Sequence, residues 1–183
     1  MIDFTEEQIQ RYSRHQSYYR PPDRLRTGRM RPQKPLIIFD HEFHEFHELF
    51  RMKIPQIIID ELISQARQDA PNETCGYLLG VSSDEGDVVT ENYWMENIDH
   101  SPEHFSFAPK DQFAALKYAR QNGLKILANW HSHPASPSRP SQEDLRLAND
   151  PTIRYAILSL HEGVHLNSFK ILNGEVVDKE THL

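Results

Sequence analysis

Residues 130–144 constrain this chain more than any other stretch. They read Trp130-His131-Ser132-His133-Pro134-Ala135-Ser136-Pro137-Ser138-Arg139-Pro140-Ser141-Gln142-Glu143-Asp144 and follow the apolar run 124–130. An apolar run of that length predicts a buried strand, and strand side chains alternate between faces. His131 and His133 therefore point the same way, about 7 Å apart along the strand, close enough to converge on one cation. Pro134 ends the ladder because it has no N–H to donate. Ser141 opens a helix-like run over 142–149, which puts Asp144 in its first turn. Two imidazoles and one carboxylate form the ligand set of a catalytic zinc site with a fourth position left open.

Ser141 and Asp144 have a second reading. Ser-x-x-Asp before an apolar run is a helix capping box, and in isolation it would be read as one. The upstream histidines shift the balance, because capping needs none. The two roles are compatible, since a carboxylate has two oxygens.

The full pattern is His-x-His-Pro, six residues, Ser, two residues, Asp. It resembles the JAMM (MPN-plus) metalloproteases, which cleave peptide or isopeptide bonds at the tails of ubiquitin-like proteins. The resemblance runs from about Met52 to the C-terminus. It implies zinc held by His131, His133 and Asp144, with Ser141 steadying the oxyanion. It also implies an acid/base glutamate far upstream, and Glu73 in Asn72-Glu73-Thr74-Cys75-Gly76-Tyr77-Leu78-Leu79-Gly80 fits that place. Without the resemblance, Glu73 is one acid among many. The implied fold is α+β, a curved mixed β-sheet with a helix on each side. The motif frame and the lack of a second Cys/His cluster are most similar to the small prokaryotic members. Those process ubiquitin-like sulfur carriers, either trimming residues beyond a Gly-Gly tail or releasing an amino acid built on it.

Three rival readings follow. An isopeptidase would remove ubiquitin-like tags from proteins. A non-catalytic MPN scaffold module would lack the ligands, and all of them are here. A zinc deaminase would need His-x-Glu and Pro-Cys-x-x-Cys, and neither occurs.

The 183 residues are enough for one domain with a real core and an appendage. We expect residues 1–50 to be an N-terminal extension with an Arg/Pro-rich linker and residues 51–183 to be the zinc domain. A net charge of −7 argues against a nucleic-acid partner. The single cysteine, Cys75, rules out an internal disulfide and favours a cytoplasmic setting. No apolar run reaches the roughly 20 residues of a membrane span, and the polar N-terminus is no signal peptide.

Residues 4–15, from Phe4-Thr5-Glu6-Glu7 to His15, resemble the opening of the ThiF/MoeB activating enzymes, which adenylate sulfur carriers. No Gly-rich nucleotide fingerprint follows, so no adenylating activity carries over. What remains is an expected partner of that type, or simply an amphipathic capping helix. His41, His44 and His47 recur every three residues and read as a solvated helix face rather than a ligand set.

The remaining elements follow from periodicity. Pro55 suits the first position of a helix whose Ile58, Leu62, Ala66 and Ala70 face the core. Strands are expected over 50–54, 74–81, 87–97, 105–107, 154–160, 165–171 and 175–178. A second helix begins at Pro109, with Phe113, Leu116 and Ala119 inward and Gly123 as its stop. Cys75 can be nominated as a nucleophile near so many histidines, but a buried strand thiol is the simpler reading. It shares a face with Glu73, so modulation of the metal is conceivable. His100, His104, His161 and His165 read as surface or loop residues.

Overall fold

The computed structural model describes residues 51–183. The expected extension, with its 4–15 stretch and its histidine repeat, lies outside them. The elements in chain order are β1 (Met52–Lys53), α1 (Gln56–Asp69), β2 (Cys75–Ser83), β3 (Gly86–Met95), α2 (Pro109–Gln121), β4 (Lys125–His133), α3 (Gln142–Leu147), β5 (Arg154–Ser159), β6 (His165–Leu172) and β7 (Glu175–Thr181). The seven strands form one mixed sheet in the order β1-β3-β2-β4-β5-β6-β7. The α+β expectation is met. The 105–107 stretch is not a strand but a single bridge, Asn97 to Phe107.

Sequence patterning decides which helix covers which face. In α1, Ile58, Ile59, Leu62 and Ala66 are buried on one stripe. They pack against Leu78, Ala128, Trp130, Ala156, Leu158 and Leu166, which come from alternate positions of the central strands. Ala70, expected on this stripe, falls beyond the helix and is exposed. Gly76 lets the indole lie flat here. A Cβ at Gly76 would meet Trp130 Nε1 at 2.7 Å and the Tyr93 carbonyl at 2.5 Å.

The second helix corrects the expectation. Phe113 and Leu116 are 73% and 51% exposed, and α2 buries Ala115 and Ala119 instead. Apolar residues occupy most of the 113–119 span, so periodicity alone does not fix the helix's rotation. Small alanines win the contact because they allow close approach to the sheet, and the Tyr118 ring packs on Tyr93 at 5.4 Å. Gly123, at φ +68°, ends α2 in the left-handed conformation that favours glycine.

One pairing governs the site. β4 and β5 are parallel, with His131 opposite Ile157 and His133 opposite Ser159. Parallel neighbours need a long crossover. That crossover leaves the carboxyl end of β4, just after His133, and carries α3 with it. Leu145 and Ala148 anchor it on Ile157, Phe169 and Ile171, on the sheet face opposite α1.

Candidate metal centre

His131 and His133 are buried and share the α3 side of β4. Their Nε2 atoms stand 3.0 Å apart. Two nitrogens bound tetrahedrally to one zinc would lie roughly 3.3 Å apart, from Zn–N bonds of about 2.0–2.1 Å. The pair is thus set close to ligand spacing. The His133 ring is oriented by its Nδ1, which lies 3.0 Å from the Pro137 carbonyl. If Nδ1 donates there, Nε2 keeps its lone pair for a metal. His131 is held by the Phe105 ring, stacked at 4.5 Å.

Two carboxylates close the cluster. Asp144 Oδ1 is 3.4 Å from His131 Nε2, and its Oδ2 is 3.7 Å from His133 Nε2. Glu73 Oε1 is 3.8 Å from His133 Nε2. One donor atom each from Glu73, His131 and His133 falls within a 4.8 Å group. Distance alone therefore leaves either acid eligible as the third ligand.

Their protonation separates them. Burial pushes Glu73 up to about 8; His133 opposes the rise, while Asp144, Glu103 and Glu143 add to it. Burial also acts to raise Asp144, but its hydrogen bonds to His131 and His133 overcome this and hold it well below the usual carboxylate range. Burial lowers His131 and keeps it neutral, as a ligand must be. For His133 burial is outweighed by Asp144, the Pro137 carbonyl and Glu73, so its pKa rises. The two carboxyl groups are thus shifted in opposite directions.

Each donor is fixed from outside. Glu73 sits two residues before β2, and the Cys75-to-His131 register brings it beside the histidines. Its N–H donates to the Ser101 carbonyl at 2.8 Å, and its carbonyl accepts from Asn97 Nδ2 at 3.0 Å. Ser132, between the two histidines, grips Thr74: its Oγ accepts from Thr74 N at 3.0 Å and its N–H donates to Thr74 O at 2.9 Å. Ser141 and Asp144 do form the capping box. Asp144 Oδ2 accepts from Ser141 N at 2.7 Å, and Ser141 Oγ accepts from Asp144 N at 3.1 Å. The box uses the Ser141 hydroxyl oxygen as an acceptor, on a residue that stays exposed.

Sequence reasoning missed the supports. The 134–140 turn is locked by Ser138, whose Oγ donates to the Ile157 carbonyl at 2.7 Å and accepts from Asn167 N and Nδ2 at 3.1 and 2.8 Å. Asn97 spends its whole amide on this side of the molecule. Beyond Glu73 it donates to the His104 carbonyl and accepts from Asp99 N and Ser106 N. That ties down the loop carrying Phe105. His104 is indeed a surface residue, but it pairs with Glu143 of α3. Nothing in the local sequence flags these residues, because their partners are distant in the chain.

Cys75 is fully buried and its thiol faces the Met95 carbonyl. Burial, with Glu73, Asp69 and Asp99 adding, pushes it up to about 12, so it is a thiol and not a nucleophilic thiolate.

Two strand histidines and a helix-borne aspartate on a mixed sheet are the donor types of a hydrolytic metal centre. A family profile described as prokaryotic homologs of the JAB domain matches residues 55–172. The chain belongs to that family, within the JAMM/MPN proteins. It is 25% identical over 128 residues to the CysO-cysteine peptidase of Mycobacterium tuberculosis, covering 69% of this chain and 86% of that protein. It is 34% identical over 73 residues to the desampylase of Pyrococcus furiosus, 40% of this chain and 49% of that one. A protein of Desulfitobacterium hafniense solved in solution shares the fold, with a TM-score of 0.65 and 42% identity over 71% of this chain and 90% of its own. Among the described residues, no helix is long and apolar enough to cross a membrane.

Proposed function

We propose that this protein is a zinc-dependent peptidase that cuts after the Gly-Gly tail of a small ubiquitin-like sulfur carrier. The observation that carries the chemistry is the convergence of two histidine Nε2 atoms 3.0 Å apart with the carboxylates of Asp144 and Glu73. His131, His133 and Asp144 would hold the metal. The ionised, helix-anchored Asp144 suits a ligand, whereas Glu73 suits a proton carrier. When bound, zinc supplies Lewis acidity, polarising the scissile carbonyl and making water more acidic.

The chain's own residues do the rest. As a carboxylate, Glu73 takes the proton of the attacking water and, as the acid so formed, passes it to the leaving amine. Ser141 turns its O–H toward the oxyanion as the tetrahedral carbon forms. Burial of Glu73 and both histidines keeps bulk water from competing with these contacts.

The carrier assignment rests on the likeness to a protein named CysO-cysteine peptidase. The likeness to a desampylase favours a second reading, removal of a modifier from a protein. Mass spectrometry of a carrier bearing one or two residues after Gly-Gly decides between them. Release of those residues alone, abolished by a chelator and by Glu73→Gln, supports the first. An intact carrier beside cleavage of a lysine-linked conjugate gives the second. Failure on both substrates refutes the peptidase assignment.

A further inference from the structure

The β2 ladder stops short of the proposed proton carrier. Cys75 pairs with Met95 on one side and His131 on the other, and Thr74 is still gripped by Ser132. Glu73 lies just beyond, outside the strand. Both of its backbone groups are taken by the segment that follows β3. Its N–H donates to the Ser101 carbonyl at 2.8 Å, and its carbonyl accepts from Asn97 Nδ2 at 3.0 Å. Continuing the Cys75–Met95 register places Asn97 opposite Glu73. The Asn97 backbone is engaged elsewhere, in the bridge to Phe107 and in accepting from His100 N at 3.2 Å. Its side chain therefore makes the cross-strand bond that its backbone does not.

Asn97 is 8% exposed, and every hydrogen-bonding position of its amide is used. Nδ2 donates to the Glu73 and His104 carbonyls at 3.0 and 2.9 Å. Oδ1 accepts from Asp99 N and Ser106 N at 3.1 and 3.3 Å. Carbonyls need donors and N–H groups need an acceptor, so the partners fix which way the amide faces. Its two ends do different work. The oxygen folds the 97–106 loop on itself, and the nitrogen ties Glu73 to that loop. The same loop reaches the proposed metal ligands, since Phe105 stacks on His131 at 4.5 Å and His104 pairs with Glu143 beside Asp144.

We infer that Asn97 is a positioning residue: its side-chain N–H holds the Glu73 main chain so that the Glu73 carboxyl stays at the His131–His133 pair. That carboxyl stands 3.8 Å from His133 Nε2, on a side chain whose root is fixed by the two backbone bonds. Misplacing a reacting group by about 1 Å costs on the order of 100-fold in rate. This inference rests on the peptidase reading and adds to it the residue that keeps the proton carrier in place.

Asn97→Asp separates the two ends of the amide. It keeps an acceptor for Asp99 N and Ser106 N and has no N–H for Glu73. Full-length, zinc-loaded protein is assayed on a peptide ending Gly-Gly-Ala or on a lysine-linked conjugate, whichever the wild type cleaves. The variant should lose about 10- to 100-fold in kcat, with KM within about threefold of wild type. Zinc affinity, read by competition with a chromogenic chelator, should also stay within about threefold, short of the roughly 10- to 100-fold loss of a disturbed metal support. A crystal structure of the zinc-loaded variant should show the Glu73 carboxyl moved by about 1 Å or more, with His131, His133 and Asp144 in place. Should the buried charge prevent folding, Asn97→Ala carries the same reading: kcat lost with zinc retained supports the inference.

Near-wild-type kcat in Asn97→Asp, or an unmoved Glu73 carboxyl, overturns the inference while leaving the peptidase reading standing. Zinc affinity lost in step with kcat shows a general structural role and overturns it too, as does failure of both variants to fold. A wild-type protein that cleaves neither peptide nor conjugate refutes the peptidase reading and takes the inference with it.

Discussion

Ser138→Ala tests whether the crossover turn is an active support of the metal centre. The Ser138 hydroxyl lies between β5 and β6, bridging the Ile157 carbonyl and the Asn167 N–H. Alanine takes the hydroxyl away and leaves both buried backbone groups without that partner. Asn167 Nδ2 keeps its bond to the Ser138 carbonyl at 3.0 Å, so it counts for little. Each orphaned buried group costs about 1–3 kcal/mol, and partial relaxation puts the pair at about 2–4 kcal/mol. At about 2–4 °C per kcal/mol for a chain of this size, the melting temperature should fall by roughly 5–15 °C. The turn also joins His133 to the helix bearing Asp144, so loosening it should weaken zinc binding about tenfold or more. Thermal unfolding with and without a chelator, and zinc competition with a chromogenic chelator, read the two effects. A variant that melts within about 2 °C of wild type and binds zinc as well would refute the argument.

Other consequences are directly measurable. His133→Ala should lose bound zinc by metal analysis, and full zinc in that variant would remove it from the ligand set. Glu73→Gln should keep fold and zinc yet lose at least about 100-fold in kcat, since the amide accepts no proton. Cys75→Ser should retain most activity; complete loss with zinc still bound would return the thiol to the mechanism. His182, whose pKa burial lowers to about 4 with Arg154 and Arg51 adding, should make acid destabilising. Below about 6.5 the unfolded chain takes up a proton that the folded chain refuses, so stability falls as pH drops toward 4. The loss is at most about 3 kcal/mol, less if the C-terminal strand opens locally. Urea unfolding of His182→Gln should show a flatter pH profile between 4 and 6.5, and an unchanged slope would exclude His182 as the cause.

What the sequence reveals and hides follows from the range of each interaction. The period-two alternation of β4 puts His131 and His133 on one face, and the Ser141–Asp144 spacing makes a capping box; both are local and legible. The position of Glu73 is not local. It depends on Cys75 pairing with His131, which only the assembled sheet decides, so only the family pattern picks this acid out. The rotation of α2 is not legible because its apolar residues run nearly round the helix. Buried Arg154 gave no signal either. Its partners Asp178 and Glu180, at 2.8 and 3.0 Å, come from β7, and Glu180 also accepts from Met52 N at the far end of the sheet order.

The two acids show how one fold gives the same functional group two environments. Asp144 is the first-turn residue of a helix and accepts a backbone N–H while facing two imidazoles, so its charge is compensated from several sides. Glu73 is 5% exposed, and its backbone carbonyl accepts from Asn97 Nδ2 while its backbone N–H donates to the Ser101 carbonyl. Desolvation then acts on a carboxylate whose neighbouring histidine, His133, already faces Asp144. Exchanging the two acids in length, Glu73→Asp with Asp144→Glu, would retain the composition and break both environments. The shorter acid would draw back from the histidines, and the longer one would crowd them and strain the cap. The proposed ligand and the proposed proton carrier are therefore distinguished by their attachment to the backbone as well as by their chemistry.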